Sequence, residues 1–212
     1  VVFVASFGSL SFDLVFAEKL KKIGMIFVPK GEFLMGSQKG KGRPDEHPRH
    51  KVYLDAFYID QFEVTGKDFE KYLLVNPKEN PTITGWWGRQ VRPDMENRPV
   101  FGLSWSRCKN YCEWLGKRLV TEAEWERAAA GLEGRKFPWG NDLPDLKKAN
   151  FNRCCFVMKG LSINEVGSYP LGATPNKIYD LAGNIAEWVY DWYDKNYYKQ
   201  SEYNNPKGPV KG

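Results

Sequence analysis

The stretch YDLAGNIAEW, residues 179–188, sets Asp180, Gly183, Asn184 and Glu187 close together and ends on Trp188. Calcium takes about six to eight oxygens, drawn from carboxylates, amide side chains and backbone carbonyls. A turn that contains glycine can aim several carbonyls inward, because glycine tolerates dihedrals closed to other residues. Read this way, Asp180 and Glu187 supply charge, Gly183 and Ile185 supply carbonyls, and Trp188 anchors the turn to the core. The same residues also read as a helix cap followed by an ordinary surface turn.

Outward from this stretch the elements are short. Thr121 with Glu124 three positions later forms a capping box at the head of VTEAEWERAAAG, and Gly131 stops that helix. Trp125 and the alanines face its core side. Ser104 caps a second helix, with Trp105, Cys108, Tyr111 or Cys112, and Leu115 on one face. Thr65 and Asp68 open a third, which carries Phe69, Tyr72 and Leu73. The expected helices therefore run over 65–75, 104–116 and 121–131. MIFVPKGEFLMGS (25–37) reads as two strand pieces around Pro29-Lys30-Gly31, and HKVYLDAFYID (50–60) as a kinked strand. Pro77 to Pro99 reads as a long loop of the kind that tends to carry function.

Composition agrees with a single loop-rich domain. The chain has 212 residues with 15% aromatics, enough large side chains to stabilise a fold poor in regular structure. The net charge of +5 is spread among acids with no basic stripe, which argues against a nucleic-acid partner. The mixed run KGKGRPDEHPRHK (39–51) reads as a solvated loop. Residues 1–22 are largely apolar, and Val15-Phe16-Ala17 has the small-residue pattern of a signal-peptidase site. They are expected to be a signal-peptide or anchor remnant, or else a first strand and helix. The former implies a periplasmic or secreted protein. Cys108 and Cys112 lack zinc spacing and read as buried free thiols; Cys154 and Cys155 are undetermined.

GMIFVPKGEFLMGS, HKVYLDAFYIDQFEVTGKDFEKYL, PVFGLSWSRCKNYCEWLGKRLVTEAEWERAA, FPWGND and YDLAGNIAEWVYDWY follow one another in the order seen in the formylglycine-generating enzyme (sulfatase-modifying factor) family. Residues 24–212 resemble that domain. The resemblance implies an α+β fold related to the C-type lectin fold, with a short mixed sheet, about three helices and structural calcium. One family calcium site corresponds to Asp180 and Glu187 by side chain and to Gly183 and Ile185 by carbonyl. Of the other, Asn150 and the Phe151 carbonyl match the opening pair, and the later acid has no clear counterpart.

Active members of the family oxidise a sulfatase cysteine with oxygen and a copper ion held by two cysteines, which lie after a GGS motif near the C-terminus. Soft thiolates suit Cu(I). The sequence in hand reaches NNPKGPVKG, short of that motif, so copper is expected only if a further segment carries the pair. Three roles follow. The first is a non-catalytic structural or accessory subunit of an extracytoplasmic, even membrane-associated, assembly, with a protein partner covering the incomplete C-terminal edge. The second is a formylglycine-generating oxidase whose catalytic segment lies elsewhere. The third is a lectin-like binder using Trp86 and Trp87.

Overall fold

The computed structural model describes residues 3–5, 24–79, 86–151 and 163–212. Apart from residues 3–5, the reading of 1–22 falls outside these, as do Cys154 and Cys155. Eight strands and three helices are present among the described residues: β1 Phe3–Ala5, β2 Met25–Val28, β3 Gly31–Met35, β4 His50–Leu54, β5 Phe57–Asp60, β6 Trp86–Trp87, β7 Gln90–Val91, β8 Arg118–Leu119, α1 Gly66–Val75, α2 Trp105–Trp114 and α3 Glu122–Ala130. The fold is α+β.

The main sheet has the order β2-β5-β1-β8, with every neighbouring pair antiparallel. β5 holds an inner position and buries Phe57, Tyr58 and Ile59 in succession, the pattern of a strand covered on both faces. β3 and β4 form a separate antiparallel pair in which Phe33, Met35, Val52 and Leu54 point inward while Glu32, Leu34 and Lys51 point outward. The kink anticipated in 50–60 is a change of sheet: the chain leaves β4 at Leu54 and enters the main sheet at Phe57. Residues 203–205 run along the outer edge of β4. Tyr53 N–H donates to the Tyr203 carbonyl (2.7 Å), Asn205 N–H donates to the Tyr53 carbonyl (2.8 Å), and the Asn205 side chain bonds both the backbone and the carboxylate of Asp55.

All three helices start where their caps place them. The hydroxyls of Thr65, Ser104 and Thr121 accept from the N–H groups of Asp68, Arg107 and Glu124, and the capping box at Thr121 is complete. α2 buries Cys108, Tyr111 and Cys112. Leu115 is exposed, contrary to expectation, because the helix ends at Trp114 and Gly116 turns the chain away at φ +69°. The described parts of the 77–99 segment are more regular than its prolines suggested, with the β6–β7 pair and a 3-10 turn at Pro93–Met95.

Two cores result. One joins β2 to β5 with α3, and it takes in Ile178 and Leu181, which pin the YDLAGNIAEW stretch from its start. The other packs α1 against α2 through Phe69, Tyr72, Leu73, Tyr111 and the two cysteines, with Trp86 against its side.

Candidate metal centre

Beyond Ile178 the chain makes a tight, strained loop. Asp180 and Asn184 sit at φ +57° and +58°, and Gly183 at +98°. A left-handed conformation costs a residue other than glycine about 1–2 kcal/mol, so it persists only where the surroundings fix it. Here they do. Asp180 Oδ2 accepts from the Gly167 N–H at 2.7 Å. The Asn184 N–H donates to the Asn150 carbonyl at 2.9 Å. Gly183 packs so closely on that carbonyl that a Cβ would lie 2.4 Å from its oxygen, which only glycine permits.

Asn184 is the hub of the loop. Its Nδ2 donates to Glu63 Oε2 (2.6 Å) and to the Asn164 carbonyl (3.2 Å). Its Oδ1 accepts from the Asn164 N–H (3.0 Å) and from Asn150 Nδ2 (3.3 Å). The loop is thereby tied to the start of the second expected site at Asn150 and to the connector that follows β5. On its far side, Trp125 of α3 donates its indole N–H to Glu187 Oε2 at 2.5 Å.

Three enclosed carboxyl groups meet around this loop. Glu63 is only 2% exposed. Burial pushes its carboxyl up to about 9, with repulsion from Glu187 and then Asp180 adding to the effect. Burial likewise raises Asp180, against the Gly167 N–H, and raises Glu187, against the Trp125 bond. Glu63 Oε1 and Glu187 Oε1 are buried with no hydrogen-bond partner among the described residues. A buried carboxylate oxygen without a donor is costly, and the two chemical remedies are a proton or a hard cation.

The donor set suits calcium. Asp180 and Glu187 offer carboxylates and the strained loop offers carbonyls, all of them hard oxygens. Among the described residues no three His, Cys, Asp or Glu side chains converge closely enough to hold a metal together, so Glu63 is a neighbouring charge and not a third carboxylate ligand beside the other two. Asn150 lies against Gly183 and Asn184, so the two expected sites adjoin. Phe151 is half-buried beside it, and the stretch from which further ligands of that site would come is outside the described residues.

One expectation needs correction. Trp188 does not anchor the turn by burial: its ring is 48% exposed, and only its N–H is tied, to the Leu103 carbonyl at 2.9 Å. Ile178, ahead of the loop, and Leu181, within it, provide the anchor by entering the core, whereas Trp188 leaves it. Sequence reasoning also missed Glu63 and Asn164, and passed over Asn184 as a binding residue. The one signal for Glu63 was a lone acid between Phe62 and Val64, directly before the Thr65 cap.

The cysteines of α2 are sealed in the aromatic core as free thiols. Burial pushes Cys108 up to about 11 and Cys112 further still, and the Cys112 thiol donates to the Cys108 carbonyl at 2.8 Å. Both sulfurs are almost fully enclosed, so neither is presented at the surface to a substrate cysteine.

The family model of the sulfatase-modifying factor enzyme 1-like domain matches residues 11–211. The chain belongs to this family. Among its relatives is the serine/threonine-protein kinase pkn1 of Chlamydia caviae, 35% identical over 204 residues, with 89% of this chain covered and 31% of the relative. The chain thus spans about a third of that relative. The formylglycine-generating enzyme of Streptomyces coelicolor is 31% identical, with 89% of this chain and 75% of the enzyme covered. The inactive C-alpha-formylglycine-generating enzyme 2 of Mus musculus is 32% identical, with 80% and 69% covered. Of solved structures, PvdO from Pseudomonas aeruginosa is similar at a TM-score of 0.66 and 26% identity, covering 88% of this chain and 76% of that one.

Proposed function

We propose that residues 24–212 form a non-catalytic sulfatase-modifying-factor-like domain, stiffened by calcium, that serves as a structural or accessory subunit of an extracytoplasmic assembly. The observation that carries this reading is the contrast between its thiols and its carboxylates. Cys108 and Cys112 are enclosed in the core as free thiols, while a strained, oxygen-rich loop gathers acids of which Glu63 and Glu187 each keep one buried oxygen without a donor. Asp180 and Glu187, with the carbonyls of Gly183 and Ile185, would hold the calcium. The bound ion supplies positive charge that these acids do not find in the protein.

Family membership is shared with active and inactive relatives alike, so the name of neither transfers by itself. The reading places the protein in the periplasm or outside the cell, where calcium is plentiful and even a weak site fills. A protein partner fits this part of the chain, where Trp188, Tyr190, Trp192 and Tyr193 are each exposed. The formylglycine-generating alternative is tested directly. The chain of residues 1–212 is incubated with a sulfatase-type cysteine peptide, copper and oxygen, and the peptide is weighed by mass spectrometry. Its mass is expected to stay that of the thiol. Copper-dependent appearance of the aldehyde mass overturns the non-catalytic reading.

A further inference from the structure

The loop that joins β3 to β4, residues 36–49, borders a cleft of about 640 Å³. Its lining includes Ser37, Lys39, Pro44, His47, Arg49 and, from the 3-10 turn Tyr197–Lys199, Lys199. Three formal positive charges and an imidazole therefore border one cavity, and no carboxylate is in that lining. The acids nearest in sequence are already engaged. Glu46 accepts from the Ser37 hydroxyl (2.5 Å) and from Arg43 Nε (3.1 Å), and Asp45 accepts from the Tyr193 hydroxyl (3.0 Å).

Several surface cations elsewhere in the molecule find acids: Lys51 pairs with Glu32, Lys67 with Glu96 and Arg92 with Asp94. Among the described residues Lys39, Arg49 and Lys199 form no ion pair within 4.0 Å. Lys199 uses one hydrogen on Asn196 Oδ1 (2.9 Å), leaving two. The Arg49 Nε–H is buried and has no acceptor. The guanidinium charge is therefore not balanced through that nitrogen, and Arg49 lines the cleft with its charge uncompensated there.

The cleft is held in shape. The Ser37 N–H donates to the Glu46 carbonyl at 3.0 Å, which closes the loop, and the Lys41 N–H donates to the Gln38 carbonyl at 2.9 Å. His47 Nε2 donates to the Lys41 carbonyl at 2.8 Å. The His50 ring meets Tyr198 edge-on with centroids 5.0 Å apart, which ties the start of β4 to the turn that carries Lys199. The backbone that carries the cations is thus set around the cavity before any ligand arrives, which lowers part of the ordering cost of binding.

We propose that this cleft binds a small organic ligand through a tetrahedral oxyanion group, a phosphate or a sulfate ester. Lys39, Arg49 and Lys199 face the oxyanion. Pro44 and Pro48 border the organic body, for which the cavity has room beyond a bare inorganic ion. This site is separate from the acidic loop and stands whether or not the calcium reading holds.

Calorimetric titration of the chain with phenyl phosphate, phenyl sulfate, inorganic phosphate and inorganic sulfate, at constant ionic strength in chloride, tests the proposal. At least one phenyl ester is expected to bind saturably with a Kd below about 1 mM, and the tighter of the two esters identifies the ligand class. The double substitution Lys39→Gln/Lys199→Gln alters two exposed side chains. It is expected to weaken that binding by about tenfold or more while leaving the melting temperature unchanged in chloride. The Arg49 Nε–H resonance is expected to shift on saturation in the native chain. Absence of saturable binding by either ester, or equal binding by the double variant, overturns the proposal.

Discussion

Glu124 and Glu63 are both buried carboxylates, and the protein treats them in opposite ways. Glu124, at the head of α3, receives Arg118 in a two-pronged pair (2.8 and 2.6 Å) and the Thr121 N–H (2.8 Å), so both oxygens are met from within. Glu63 receives a single amide, from Asn184, and its second oxygen is buried and bare. The first arrangement is self-sufficient. The second leaves an oxygen that no donor of the described residues reaches, which a proton or a neighbouring cation would relieve. Two buried acids thus differ through the donors around them, not through their depth.

Removing an internal partner should give the largest effect. Arg118→Met leaves Glu124 enclosed without its counter-charge and is expected to cost about 3 kcal/mol, as for other broken buried pairs. Urea unfolding measures this, and the loss should be the same in calcium and in chelator. A loss that changes with calcium would mean that the two acids are not independent, and the comparison would collapse.

Removing the external partner comes next. If free calcium at about 100 times Kd is bound by the native state alone, it adds about 2.7 kcal/mol. Glu187→Gln should abolish that gain while unfolding much like the parent in chelator, and magnesium should substitute poorly because it demands a tighter octahedral shell. If parent and variant respond alike to calcium, the loop is an ordinary turn.

Glu126 offers a smaller, intermediate case. It accepts from the Gly36 N–H (2.7 Å) and the Tyr198 hydroxyl (3.5 Å), yet burial pushes it up to about 7. Its folded state holds the proton more tightly than the unfolded chain. Its contribution to stability is therefore full below the ordinary carboxylate range and is lost as pH rises through about 7. Glu126→Gln should flatten that decline and stabilise the protein by about 1 kcal/mol at pH 8, read as melting temperature against pH. An unchanged slope would place the titration on other groups, such as Asp191, which burial raises to about 6.

The helices were legible because their information is local. A cap at Thr65, Ser104 or Thr121 and the periodic apolar positions after it lie within one or two turns of sequence. The strained acidic loop was half legible: oxygens crowded about Gly183 announced themselves, and the family resemblance sorted them into expected side-chain and carbonyl ligands. Glu63 was not legible. It comes from the connector after β5, and its proximity to Asn184, 121 positions away, exists only once the sheet and the loop have docked. The sheet switch after Leu54 was hidden for the same kind of reason, because alternation shows a strand but not its partner. The basic cleft read as a solvated charge run, since its Lys199 lies far along the chain from Lys39, His47 and Arg49.

Residues 203–205 lie against β4, with Asn205 clasping Asp55 across 150 positions. On the ribosome this arrangement imposes a schedule. The β3–β4 pair emerges early, but its outer edge stays bare until residues 203–205 leave the exit tunnel, which takes about 8–30 seconds at ordinary translation rates of about 5–20 residues per second. Through that interval an unpaired strand edge is open to any neighbouring chain. A nascent chain halted near residue 190 should therefore depend on holding chaperones far more than one released at 212.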